Sequence, residues 1–365
     1  MRGSLSLGRI AGIRLEVHWT FLLIILWAIY VGWNQGGTTE AVLWTIAFVL
    51  VLFICIILHE LGHSLTARQY GISTKKITLL PIGGVASLER MPEDPKQELL
   101  VAVMGPVVNV VIAFLLFFFI RAQLAVFQNP EEVEELFRVI SGENFLLYLF
   151  ITNIMLVVFN AIPAFPMDGG RVLRALLSFG MDRVRATQIA ANLGQFIAVL
   201  FFFLGLMYNP FLIFIALFVY FGASGEYMMI RHMSLLKGHK VREAMMTGFT
   251  TLQTHDTLQK VGEVLLSTTE RHFVVLGTSG ELSGILYNND ITEAFQTRRT
   301  QQTVGDLMSK DFLMVAPDED LSTIYRKVQG KQLSFFPVME NGYLIGTVDM
   351  ENINEFMMIQ AALDY

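Results

Sequence analysis

The chain has 365 residues, of which 53% are hydrophobic and only 16% charged. Ordinary soluble domains carry about 25% charged residues, so much of this chain is expected to face lipid. The net charge of −6 argues against a nucleic-acid surface, and the single cysteine, Cys55, excludes an intrachain disulfide and a Cys-rich metal site. The length predicts two or three domains. Cys55 is expected as a small apolar residue in a helix.

In chain order, residues 8–18 alternate apolar and polar and predict a strand lying on the membrane surface. Six apolar stretches follow, at 19–33, 41–58, 101–120, 145–159, 189–208 and 211–221, and are expected as membrane-crossing helices. No cleavable leader is expected before the first. The connections alternate in charge. Arg2, Arg9 and Arg14 precede the first stretch, and the next connection has no Lys or Arg. The third holds Arg68, Lys75, Lys76, Arg90 and Lys96, the fourth Glu131, Glu132, Glu134 and Glu135, and the fifth Arg171, Arg174, Arg183 and Arg185. By the positive-inside rule both termini and the two long basic connections are cytoplasmic, in a multi-pass protein of the cell membrane. The second and fourth stretches then both end near the cytoplasmic face. Residues 75–90 read as a hairpin broken by Pro81 and the pair Gly83-Gly84.

The second stretch leads into His59-Glu60-Leu61-Gly62-His63. Residues four apart share a helix face, so both imidazoles can point at one ion, and neutral imidazole suits zinc with Glu60 as base for a water. A catalytic zinc takes three protein ligands and keeps an open position. Topology brings the end of the fourth stretch to the same depth, and Asp168 is the only carboxylate there. The alternative for Asp168 is an N-cap on a helix over 169–177, and one residue can serve both ends. Outside this cluster, His18 and Glu226 lie near span ends, where either a gating role or a plain interfacial role is open.

The His-Glu-Leu-Gly-His run, followed by Asn160-x-x-Pro163-x-x-Pro166-x-Asp168-Gly169-Gly170, resembles the site-2 protease family of intramembrane metalloproteases. The resemblance covers the membrane region. It implies that His59, His63 and Asp168 hold one zinc per chain, that Glu60 is the general base, and that Asn160 binds the substrate peptide or its oxyanion. Gly105-Pro106-x-x-Asn109 also matches a family element and reads as helix packing and backbone contact. The hairpin around Gly83 and Gly84 offers an edge to which an extended substrate could add as a strand; a lid or a surface anchor is the other reading. Implied substrates are membrane proteins such as anti-sigma factors or membrane-tethered regulators.

After Lys237 the composition becomes that of a soluble domain, and a unit repeats. Val241–Met245 matches Val304–Met308, Leu258 matches Leu321, Val275 matches Val338 and Gly284 matches Gly346. Two copies of one supersecondary unit are expected to bury a face against each other. The pattern resembles a tandem CBS pair, over 237–300 and 301–365, behind a membrane domain at 1–236. The fold class expected is therefore a polytopic α-helical membrane protein of six transmembrane helices with membrane-associated β-strands, plus a soluble α+β tandem CBS domain. That family binds adenine nucleotides through a Gly-x-x-Thr/Ser-x-x-Asp signature. Here the positions read Gly284, Tyr287, Asp290 and Gly346, Asp349, Asn352, so only Asp290 survives. Nucleotide sensing and a homodimerising or docking role stay open. A rival function is a CBS-regulated ion channel or metal transporter with the same ligands. Glu60 discriminates, because a transport site needs no base beside a ligand.

Overall fold

The computed structural model describes residues 3–81, 83–89, 91–121, 138–297, 302–328 and 335–363. Arg2 and Arg90 of the basic segments, and the acidic residues Glu131, Glu132, Glu134 and Glu135, lie outside these. Where the sequence predicts one strand over 8–18, the chain forms a hairpin, β1 (Ser4–Ile10) and β2 (Ile13–His18). It turns at Ala11 and Gly12, both at positive φ (52° and 85°). Two-residue hairpin turns of this hand favour Asn-Gly. Ala-Gly does not announce one, so the alternation reads through it.

The second hairpin forms near its expected place, as β3 (Thr74–Leu80) and β4 (Gly83–Leu88). β2 and β3 pair in parallel, giving one sheet of order β1-β2-β3-β4. Ile13, Leu15, Ile77 and Leu79 form its buried face and pack with Phe21, Phe53 and Leu61 of the adjoining helices.

Those helices are α1 (Phe21–Gly36), α2 (Thr39–Gln69), α3 (Pro95–Ile120), α4 (Phe145–Ala161), the short α5 (Asp168–Leu177), α6 (Arg183–Met207) and α7 (Phe211–Leu236). Their limits are set by local chemistry. Gly37 ends α1 in the left-handed region, with its N–H on the Trp33 carbonyl. Thr38 caps α2; Asp94, followed by Pro95, caps α3; and Asp182 caps α6. Four of these helices, α2, α3, α6 and α7, are long and apolar enough to cross a bilayer. α1 and α4 are apolar but have 16 and 17 residues, reaching about 24–26 Å against a ~30 Å hydrocarbon core. Helix and apolar stretch do not coincide: α2 runs on to Gln69 and α7 to Leu236. The backbone ladder continues after the side chains turn polar. The His59–His63 run is therefore inside a helix, not at its end.

Contacts divide the chain into two compact units, Met1–Ile230 and Arg231–Tyr365. The second contains α8 (Val241–Ala244), β5 (Thr251–Gln253), α9 (Leu258–Ser267), β6 (Phe273–Leu276), β7 (Leu282–Leu286) and α10 (Asn288–Gln296). Then come α11 (Val304–Leu307), α12 (Leu321–Val328), β8 (Phe335–Glu340), β9 (Tyr343–Asp349) and α13 (Met350–Leu363). The two copies exchange their leading segments. Val241 lies in the core of the second copy, with Phe336 and Val348. Val304 lies in the core of the first, with Leu252, Phe273 and Leu286. Met246 bridges to Thr347 and Ile285 to Ser309. This explains the repeated glycines: a Cβ at Gly284 would meet Met308 Sδ at 2.6 Å, and one at Gly346 the Met246 carbonyl at 2.9 Å.

Candidate metal centre

α2 carries His59 and His63 one turn apart on its buried face, as the four-residue spacing requires. Asp168 is the first residue of α5; the N-cap is Met167, and no side chain caps this end. Asp168 thus turns to the histidines instead of capping its helix. His59 Nε2 and His63 Nε2 stand 3.1 Å apart, and Asp168 Oδ2 lies 3.2 Å from the first and 3.1 Å from the second. All three residues are buried, and they form the one group of metal-ligating residues found among the described residues.

This triangle suits zinc. Tetrahedral bonds of about 2.0–2.1 Å put neighbouring ligand atoms about 3.3 Å apart. The other ring nitrogens are already committed. His63 Nδ1 donates to the Val101 carbonyl at 2.7 Å, and His59 Nδ1 to Asn109 Oδ1 at 2.5 Å. The tautomer follows from a one-way chain. Asn153 Nδ2 donates to the Leu149 carbonyl, so Asn153 Oδ1 accepts from Asn109 Nδ2, and Asn109 presents its oxygen to His59. Both Nε2 lone pairs then converge with a carboxylate oxygen, an arrangement suited to a bound cation.

The packing that permits this is glycine-dependent. A Cβ on Gly105 of α3 would overlap the His63 ring and come within 2.8 Å of His59 Nε2. One on Gly62 would sit 2.6 Å from the Met104 carbonyl. Close backbone approach through small residues is how helices associate in lipid. Gly169 and Gly170 do the same for α5: their Cβ positions are filled by the backbone of Ala161, Ile162 and Ala164.

The remaining expected site residues sort clearly. Glu60 has no hydrogen-bond partner among the described residues. Gly84 is beside it, with room for a Cβ only at 3.0 Å from Glu60 Cγ. Gly83 has φ 134° and open space around it. Asn160 lines a cavity of about 300 Å³ with Asp168, Pro106, Pro163 and Gly169. One of its amide hydrogens goes to the Leu156 carbonyl at 2.9 Å, and the other has no partner among the described residues. His18 bonds Thr20 Oγ1 at 2.8 Å and is not in the metal group. Glu226 pairs with Arg174 at 2.6 Å. In the second unit, Asp349 and Asn352 exchange backbone bonds as a cap on α13. The Tyr287 hydroxyl, buried without a hydrogen-bond partner, is pushed up to about 12, first by burial and then by Asp290 and Asp311. Burial, with Glu293 nearby, also pushes the Asp290 carboxyl up.

Sequence reasoning missed Asn153 and the role of Asn109, which it read as packing. The available signal was an amide in the middle of each apolar stretch, a costly position that calls for a partner. It also missed the cluster around Arg174, whose four members come from four helices.

Comparison with known proteins bears on the family of the chain. The profile of peptidase family M50 matches residues 47–204, and that of the CBS domain matches residues 304–359. A zinc metalloprotease of Methanocaldococcus jannaschii is 33% identical over 361 residues, 98% of this chain and 97% of that one. Rip3 of Mycobacterium tuberculosis is 29% identical over 329 residues, 84% of this chain and 80% of that one. Among solved structures, the site-2 protease from Methanocaldococcus jannaschii is 37% identical and covers 61% of this chain and 95% of its own, with a TM-score of 0.44. Likeness to the archaeal enzyme over almost the whole length, with the family match running from α2 into α6, shows that this chain belongs to peptidase family M50, the site-2 proteases, and is a zinc metalloprotease with a CBS domain.

Proposed function

We propose that the enzyme hydrolyses a peptide bond in or near the transmembrane segment of a membrane protein, such as an anti-sigma factor or a membrane-tethered regulator. His59, His63 and Asp168 hold the zinc and Glu60 is the general base. The observation that carries this reading is the triangle that two histidines of an apolar helix form with Asp168 of α5, with a carboxylate one residue from the first ligand that has no hydrogen-bond partner among the described residues. Zinc in such a donor set supplies Lewis acidity and brings the pKa of a water to about 7. Glu60, without a hydrogen-bond partner among the described residues, takes the water proton at its carboxylate and delivers it to the leaving amine. The uncommitted amide hydrogen of Asn160 is available to the developing oxyanion.

A helical substrate shields its peptide bonds, so it unwinds before cleavage. β4 pairs with β3 on one side only, and its Gly84 adjoins Glu60. A strand added to β4 past Gly83 and Gly84 would pass the base. In our reading six helices cross the cell membrane, both termini are cytoplasmic, and residues 1–236 form the catalytic domain. Residues 237–300 and 301–365 form a CBS pair that regulates it and can homodimerise. An adenine nucleotide would bind near Asp290, since Asp349 and Asn352 of the other copy cap α13. Titration of the full chain with ATP and AMP tests it, and no heat at millimolar nucleotide removes it.

The central test is Glu60→Gln with zinc content measured alongside a proteomic search for an accumulating membrane protein. Zinc retained and proteolysis lost by about 10²–10⁴-fold is the expected result. Unchanged proteolysis sinks the role of Glu60 as the base.

A further inference from the structure

Arg174 is the largest fully buried side chain, in the second turn of α5 after Asp168. Its Nε and Nη2 donate to Glu98 Oε1 at 2.8 and 2.5 Å, and its Nη1 donates to Glu226 Oε1 at 2.6 Å. Arg183 approaches Glu98 Oε2 at 3.3 Å and donates to the Pro92 carbonyl. The Phe165 ring lies 5.0 Å from the Arg174 guanidinium. The formal charges cancel. Each arm of the cluster ends on a different helix: Glu98 on α3, Arg183 on α6 and Glu226 on α7.

Adhesion alone does not explain such a cluster. Withdrawing charges from water costs several kcal/mol per ion, which their attraction repays only where the geometry is good and the remaining polar atoms are satisfied. What a planar guanidinium fork adds is direction and register. Glu98 lies one turn before Val101, whose carbonyl orients His63. The bond from Arg174 to Glu98 therefore ties the helix that begins with Asp168 to the turn of α3 that holds the opposing ligand. The competing explanation is that the packing of Gly169 and Gly170 sets Asp168 unaided.

We propose that Arg174, held by Glu98 and Glu226, is a positioning residue that orients α5 so that Asp168 closes the ligand triangle with His59 and His63. The proposal rests on the reading of Asp168 as a zinc ligand.

The test is a double-mutant cycle read as zinc affinity, by competition with a chromogenic chelator, on the full-length protein in nanodiscs. Arg174→Lys keeps the cation but loses the fork. It is expected to weaken zinc about 10–100-fold with the helical circular dichroism unchanged. In an Asp168→Asn background it should cost nothing further, because the two residues act through one contact. Unchanged affinity in Arg174→Lys, or the same loss in both backgrounds, overturns the proposal. If Arg174→Lys does not fold, the isosteric Glu226→Gln decides. A loss of roughly tenfold that vanishes with Asp168→Asn supports the proposal, and unchanged affinity overturns it. Should Asp168→Asn itself bind zinc as the wild type does, the ligand reading falls first.

Discussion

The two units of this chain bury opposite chemistry. In the first, Phe114, Phe196 and Phe214 point outward while Glu98, Asn109, Asn153 and Arg174 lie inside. In the second, Phe273, Phe336 and Val338 are inside, and charges such as Arg242 and Asp318 pair at the surface, 2.7 Å apart. The surrounding solvent makes the difference. Water drives apolar groups together, whereas lipid gives them no reason to leave, so small residues and polar networks define where membrane helices meet. The first unit should therefore be most sensitive to added volume and lost hydrogen bonds, and the second to lost volume.

Gly105→Ala should have the largest effect, because one methyl group would overlap the His63 ring. We expect zinc binding to be lost and kcat/KM to fall by at least about 10²-fold, the scale of a 1 Å misplacement at a reacting centre. Gly225→Ala is the matched control, since nothing lies within 4 Å of its Cβ position. Metal analysis and activity of the two variants side by side check this. Equal behaviour would mean that added volume at the ligand rings is tolerated.

Phe273→Ala removes a fully buried ring from the first-copy core and should cost about 3–5 kcal/mol. That is a large fraction of a domain's ~5–15 kcal/mol. Scanning calorimetry should show the second unit's transition lowered or gone while zinc content holds. Loss of zinc in the same variant would show that the units do not bury their chemistry separately.

The same contrast decides what was legible in the sequence. His59, Glu60 and His63 could be read because their spacing is local to one helix. Asp168 was reached only through charge alternation and the resemblance. The repeat in the second unit was visible as matched residues, but the exchange of Val241 and Val304 between cores was not, since it is a fact of pairing and not of pattern. The same holds for the parallel union of β2 with β3. The Arg174 cluster was hidden for another reason: Arg174 and Arg183 read as basic residues of a cytoplasmic connection and Glu226 as a residue near a span end, and only tertiary packing makes them buried partners, with Glu98. The number of spans is equally a question of geometry, because α1 and α4 are apolar but short.

Asn109→Ala probes the polar interior more gently than Gly105→Ala. It leaves the His59 Nδ1–H without its acceptor and strands Asn153 Oδ1. Loss of the group that orients a ligating histidine typically weakens metal affinity about 10–100-fold, or about 1.4–2.7 kcal/mol. Asn153→Ala, one step further from the metal, should cost less. Chelator competition on both variants gives the order. The reverse order would mean that the chain from Leu149 to His59 does not orient the ring.

The smallest expected effect lies in the second unit and depends on pH. His272 sits between the rings of Tyr287 and Phe335, and its Nδ1 accepts the Asn288 N–H at 3.1 Å. Burial holds its pKa below the ordinary 6.5, outweighing the carboxylates of Asp349 and Glu351. A lowered histidine pKa means that the unfolded chain binds the proton more readily than the folded one. Stability from this source is complete above pH ~6.5 and declines as the pH falls through the depressed folded value. The protection factors of the β6 amides, corrected for the intrinsic exchange rate, should therefore fall between pH 7 and 5. His272→Gln keeps an acceptor for Asn288 but removes the titration, so its profile should be flatter. An unchanged slope in that variant would assign the acid sensitivity elsewhere and leave His272 as an ordinary packing residue of the soluble core.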